Sequence, residues 1–241
     1  MSTLIVSENL IIQMVLPNFI SILLKPQRMF VLNSNNSIAN QFLYELRDAA
    51  TQKDRLRFRK NLERLGEILA YEISKVLKFK STTARTPLGE SSINLIDEQP
   101  VLITILRAGL PFFQGLLNFF DHADSGFIGA FRTEGKDQLT IKLEYVATTS
   151  LEGRTVLLID PMLATGRSII DSVNAILRNG KPSHIHIVSL VAAPEGIQHL
   201  KENLTLPYTL WTCAVDQKLN PQFYIVPGLG DAGDLSFGDK L

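Results

Sequence analysis

The segment VLLIDPMLATGRS, residues 156–168, sets the tightest limit on the fold. Val156, Leu157, Leu158 and Ile159 offer no polar face, so a strand built from them has to be covered on both sides, as in a parallel sheet between layers of helices. Asp160 then stands at the end of that strand, residues 161–166 read as a loop, and residues 168–177 have the spacing of a helix. The alternation recurs along the chain. Residues 101–105 read as a buried strand before an Arg107-Ala108-Gly109 turn and a helical stretch at 111–120, while 185–191 and 209–213 supply further strands around a helix near 196–203. The expected fold is α/β: a central, mostly parallel sheet flanked by helices, with binding beyond the C-terminal ends of its strands.

An amphipathic helix precedes this core, because Phe58, Leu62, Leu65, Leu69, Ile73, Val76 and Leu77 recur mostly at three or four. It is expected to cover the sheet or a partner subunit. Residues 132–150 are more polar and include an extended run at 139–145, which suggests a small hood, either a hairpin or a mobile cover over the sheet edge. No repeat or long linker calls for a second domain. The chain is therefore read as an N-terminal extension, residues 1–27, and one domain, residues 28–241.

Composition narrows the function classes. Lys plus Arg and Asp plus Glu both number 24, so the chain has no charge bias toward nucleic acid or a lipid surface. The most apolar early stretch, residues 14–24, contains Pro17 and is about half the roughly 20 residues of a membrane-spanning helix. It also lacks the charged start and cleavage site of a secretory signal. The single Cys213 removes any intramolecular disulfide framework. His122, His184, His186 and His199 make no zinc pattern, and His184 and His186, at strand spacing, read as structural. No stable nucleic-acid or membrane partner is expected. Cytoplasm is the default location, and a plastid stroma would suit an organelle-encoded chain.

Three segments carry chemistry. In the first, the turn Ala164-Thr165-Gly166 gathers backbone N–H groups, Thr165 and Ser168 add hydroxyls, and the following helix presents its positive end to a phosphate monoester. Asp160 would repel that phosphate and suits ribose hydroxyls instead, holding the sugar as positive character develops at C1. A strand–Asp–loop–helix unit by itself is also an ordinary α/β turn. In the second, ILRAGL at 105–110, Arg107 offers a donor fork for diphosphate oxygens and Gly109 permits an unusual turn; alone, such an Arg is also read as a surface or capping residue. Arg132, in GAFR at 129–132, follows another possible strand. In the third, YIVPGLGDAGD at 224–234, Pro227 and three glycines define a close-fitting loop whose backbone can read a neutral pyrimidine without a charged pocket.

Taken together and in this order, the segments resemble the uracil phosphoribosyltransferase family, which has the type I phosphoribosyltransferase fold. Pro161 in DPMLATG, where many phosphoribosyltransferases carry a second acid, is similar to the uracil branch. RAG, YIVPGLGDAGD, the Phe58-Arg59 helix and APEG at 193–196 extend the likeness over about residues 28–241. The resemblance implies pyrimidine salvage: transfer of the phosphoribosyl group of 5-phosphoribosyl diphosphate to uracil, giving uridine 5'-monophosphate and diphosphate.

That resemblance also implies site roles. Asp160, Arg107, Arg132 and Asp231 would be the catalytic set, with the two arginines drawing charge toward the departing diphosphate. Pro161, Met162, Leu163, Ala164, Thr165, Gly166, Arg167 and Ser168 would join Asp160 in holding the donor, with Tyr224 near the ribose. Ile225, Gly230 and Ala232 would present main-chain groups to uracil, beside Leu229 and Asp231, and Asp231 would also approach the donor's metal–water network. Mg2+ would ride on donor oxygens and water, with no direct protein ligand identified. A homo-oligomer is implied; GTP regulation occurs in only part of that family and the sequence does not assign it.

Two departures stand against the pattern. Arg167 occupies a position commonly Gly, and Leu235 one usually Arg, so weaker anchoring of the last loop is expected. Those departures keep open a nucleotide-sensing or RNA-regulatory protein on the same fold, alongside a transferase for another base.

Overall fold

The computed structural model describes residues 28–134 and 139–239, with side chains described at all of these except 130–144. The N-terminal extension, residues 1–27, lies outside them. The described residues begin with β1 (Arg28–Val31), α1 (Ala39–Arg47) and α2 (Arg55–Ser74), then an antiparallel hairpin of β2 (Phe79–Thr86) and β3 (Gly89–Ile96). The core units follow: β4 (Val101–Leu106), α3 (Leu110–Phe119), β5 (Asp124–Glu134), β6 (Leu139–Ala147), β7 (Thr155–Ile159), β8 (Met162–Leu163), α4 (Arg167–Ile176), β9 (His184–Ala192), α5 (Pro194–Asn203) and β10 (Tyr208–Val215). A short hairpin, β11 (Lys218–Leu219) with β12 (Ile225–Val226), and α6 (Ala232–Phe237) complete it.

The main sheet runs β1-β10-β9-β7-β4-β5-β6, with β8 extending the pairing on β9. Its ladders are parallel except at β5–β6, where the expected hood continues the sheet as an antiparallel edge. Alternation along the buried strands feeds two cores. Leu102, Leu157, Ile159 and Val188 join Leu62, Leu65 and Phe112 on the α2–α3 side; Val101, Ile103, Val156 and Leu158 join Ile169, Val173 and Leu200 on the α4–α5 side. Each such side chain removed from water contributes about 1.5–3 kcal/mol, which is why a strand with no polar face settles in the middle of the sheet.

Helix α2 departs from the sequence reading at its end. Asp54 caps it by accepting from Arg57 N at 3.0 Å, and Phe58, Leu62, Leu65, Leu69 and Ile73 are all buried. The stripe stops there: Val76 N and Leu77 N donate to carbonyls three residues back, which tightens the last turn, and Val76 is 53% exposed.

Strand order also locates the crevice. From β4 the chain moves outward to β5 and β6, then returns to the opposite side of β4 to form β7, β9 and β10. The loops after β4 and β7 therefore leave in opposite directions, and such a reversal opens a ligand crevice at the C-terminal strand ends.

Candidate active site

Strand β7 delivers Asp160 to that crevice. Its backbone N–H donates to Val188 O at 3.1 Å, and its Oδ1 accepts from Met162 N at 3.3 Å. Pro161 O accepts from both Leu190 N and Val191 N at 3.0 Å, β8 pairs with β9, and Leu163 O accepts from Ala193 N at 2.9 Å. The loop is thus stitched to β9 and to the start of α5. Gly166, with φ +76°, turns the chain into α4, and a β-carbon there would come within 2.9 Å of Gly196 O. Only glycine meets both conditions without strain. A cleft is lined by Asp160, by residues 162–169 and by Phe223. Arg167 lies at its exposed margin, its N–H 3.4 Å from Thr165 Oγ1.

The Arg107-Ala108-Gly109 turn follows β4, and the Leu106–Arg107 peptide is cis. The sequence reading of Gly109 needs correction: its φ is an ordinary −69°, and glycine is required because a side chain would run into Thr104 Oγ1 and Ile105 O. Arg107 reaches across to the C-terminal segment. Its Nη2 donates to Gly238 O at 3.1 Å and lies 3.4 Å from Asp234 Oδ1, while Ala108 Cβ lies beside Gly233.

The Pro-Gly loop is clamped from a helix the sequence reading did not connect to it. Arg47, at the end of α1, makes a two-pronged pair with Asp216, Nη1 to Oδ2 at 2.8 Å and Nη2 to Oδ1 at 2.7 Å. The same Arg47 donates to Gly228 O at 3.0 Å, and Asp216 Oδ2 accepts from Gly228 N at 2.8 Å. Gln52, with its amide turned to donate, reaches Leu229 O at 2.8 Å. Val226–Pro227 is cis, and Gly228 and Gly230 hold φ values of +58° and +93°.

Asp231 caps α6, its Oδ1 accepting from Gly233 N at 2.8 Å and Asp234 N at 3.0 Å. The missing arginine at Leu235 does not leave the segment loose. Leu235 packs on the core, Arg59 donates to Ser236 O at 2.8 Å, and Arg107 holds the end of the helix.

Ile225, Leu229 and Ala232 are buried, and Gly230 is exposed. Tyr224 stands 43% exposed outside the cleft lining, which its neighbour Phe223 enters instead. Arg132 lies on β5 opposite Ile141, and its side chain is outside those described. Among the described residues, no group of three or more His, Cys, Asp or Glu side chains could hold a metal, and no helix is long and apolar enough to cross a membrane. Trp211 Nε1 donates to His186 Nδ1 at 3.0 Å in the core, and burial, reinforced by the neighbouring His184, pushes the His186 imidazole down to about 3.

The uracil phosphoribosyltransferase family model matches residues 33–239. The chain belongs to this family. A uracil phosphoribosyltransferase of Porphyromonas gingivalis is 44% identical over 212 residues, 87% of this chain and 98% of that relative. One from Pyrococcus furiosus is 37% identical over 205 residues, covering 83% and 86%. The solved structure of the AQ2163 protein from Aquifex aeolicus matches with a TM-score of 0.77 at 31% identity, over 87% of this chain and 98% of that one. As a uracil phosphoribosyltransferase, the chain is a glycosyl-transferring enzyme of pyrimidine salvage that makes uridine 5'-monophosphate.

Proposed function

We propose that this chain transfers the phosphoribosyl group of 5-phosphoribosyl diphosphate to uracil at a site assembled at the β4–β7 crevice: the bond from uracil N1 to C1 forms as the C1–O bond to diphosphate breaks, diphosphate departs and the N1 proton passes to water. The N–H groups and hydroxyls of residues 164–168 hold the 5'-phosphate, and Asp160 holds the ribose hydroxyls. As the bond to diphosphate breaks, positive character builds on C1, and the nearby Asp160 carboxylate stabilises it electrostatically. Arg107 and Arg132 offset charge on the leaving diphosphate. Ile225, Gly230 and Ala232 present main-chain groups to uracil, beside Leu229 and Asp231.

The observation that carries this reading is the convergence of three segments distant in sequence. Arg107 and Ala108 meet the 231–238 segment, and Phe223 of the β11–β12 turn lines the same cleft as Asp160 and residues 162–169. Arg107, held by Asp234 and Gly238, releases those partners to take diphosphate oxygens.

Mg2+ fits this donor set because it keeps several waters and is commonly held by one or two carboxylates together with substrate phosphates. Bound on the diphosphate it would offset negative charge there, with waters completing its shell and Asp231 near that water network. Self-association is part of the proposal: the β2–β3 hairpin is open on both faces, with Phe79, Ile93 and Leu95 about half exposed at 48%, 50% and 47%, and a second copy would cover it. A cytoplasmic setting, or a stromal one for an organelle-encoded chain, suits a charged donor that does not cross membranes.

The deciding test is formation of uridine 5'-monophosphate from uracil, 5-phosphoribosyl diphosphate and Mg2+, with Asp160→Asn in parallel. The expected result is activity with uracil and a loss on the order of 100-fold in the variant. Activity with hypoxanthine or cytosine but none with uracil would overturn the base assignment, and full activity of Asp160→Asn would overturn the ribose role.

A further inference from the structure

Phe223 combines two unfavourable choices at one position. It is the one non-glycine residue with positive φ among those described, at +62°. For an L side chain this conformation crowds Cβ against the following carbonyl, whereas glycine adopts it freely. Its ring is also 44% exposed, in a turn where a polar residue would be at home. The turn enforces the conformation: Asn220 Oδ1 accepts from Gln222 N at 3.0 Å and Tyr224 N at 2.9 Å, and Phe223 N donates to Asn220 O at 2.9 Å. Strain held in place by surrounding bonds directs attention to what the side chain faces.

It faces the cleft formed by Asp160, Thr165, Arg167 and Ser168. The two sides of this cleft share one anchor. Leu219 N, at the base of the turn, donates to Glu195 Oε1 at 2.9 Å, and the adjacent Gly196 packs so closely on Ala164 O that no β-carbon fits between them. Phe223 therefore lines the same cleft as the phosphate loop and the carboxylate proposed to hold the ribose hydroxyls. An apolar wall there suits the C–H face of a sugar and does nothing for a phosphate oxygen.

We propose that Phe223 is a ligand-contacting residue whose ring closes over the ribose of the sugar phosphate at residues 160–168 and excludes water from it. This inference rests on the sugar-phosphate reading of that loop, and the test separates the two. Affinities for ribose 5-phosphate and for inorganic phosphate are measured by calorimetry on the full chain, for the wild type and for Phe223→Gly, Phe223→Asn, Phe223→Tyr and Asp160→Asn.

Phe223→Gly and Phe223→Asn, both tolerant of the turn, are expected to bind ribose 5-phosphate about fivefold or more weakly while inorganic phosphate binding stays within about twofold. Phe223→Tyr is expected to restore sugar-phosphate affinity, and the melting temperature of Phe223→Gly to stay level or rise. Equal loss for both probes, or no loss for either alongside a weakened Asp160→Asn, would overturn the role of the ring alone. Failure of the wild type to bind ribose 5-phosphate, or indifference of Asp160→Asn, would remove the loop assignment and this inference with it.

Discussion

Replacing Arg47 by Met tests whether the base loop owes its shape to the Arg47–Asp216–Gly228 clamp. Met keeps much of the aliphatic stem and removes the guanidinium, leaving Asp216, whose side chain is only 5% exposed, with the Gly228 N–H of its three described donors. Breaking a buried ion pair by removing one partner costs about 3–5 kcal/mol, because the other charge stays desolvated. Arg47 itself is 21% exposed, so the lower end applies, about 3 kcal/mol. Asp216→Asn in the Arg47→Met background removes the stranded charge while retaining an acceptor for Gly228, so the double variant is expected to be more stable than the two single losses imply, by up to about 3 kcal/mol. Urea unfolding followed by fluorescence of Trp211, the chain's single tryptophan, measures all three. The uracil KM is expected to rise several-fold in Arg47→Met, with ribose 5-phosphate affinity unchanged. A loss below about 1 kcal/mol with no coupling between the sites, as for a solvated surface pair, would refute the reasoning.

His186 supplies a pH test. With the folded imidazole held near 3 against an ordinary 6.5, its contribution is full above about pH 6.5 and is lost as pH falls toward 3, because only the unfolded chain takes up the proton in that window; the difference reaches about 2 kcal/mol at pH 5. His186→Gln keeps an acceptor for Trp211 and should flatten that part of the stability–pH curve in urea titrations, whereas an unchanged slope would contradict the buried neutral state. Gly196→Ala forces a methyl against Ala164 O and Leu163 O, backbone atoms that cannot swing aside. It is expected to cost about 1–3 kcal/mol in unfolding experiments and to weaken ribose 5-phosphate binding more than uracil binding.

The central strands were legible because they combine two unambiguous signals: an apolar run without a polar face, and a turn opening a helix, as at 156–168. The β2–β3 hairpin was not, since FKSTTART has neither a buried face nor the alternation that marks one. Helix α2 was legible to Ile73; at Val76 and Leu77 apolar spacing continues but the backbone has already tightened out of the helix. At the site, the turn at Gly166 and the place of Asp160 at the end of β7 could be read locally, whereas Gly109 was misread. The clamp could not, because Arg47 and Asp216 are far apart in the chain and meet only once α1 packs at the sheet end. That Phe223 lines the cleft was equally hidden, because its φ is imposed by Asn220 and not by any preference of its own.

The outermost parallel pairing has a consequence for the order in which the molecule is built. Among the described residues β1 pairs with β10 alone, so Arg28 has to wait for Thr209. At a synthesis rate of about 5–20 residues per second, that delay is about ten to forty seconds. Throughout it, β1 leaves the ribosome with no strand to receive it while β4, β7 and β9 can already associate. The sheet is thus completed from the middle outward, and the earliest of the described strands is paired only after β10 is made; a nascent chain stopped short of Tyr208 would expose one edge of β9 and leave β1 unpaired.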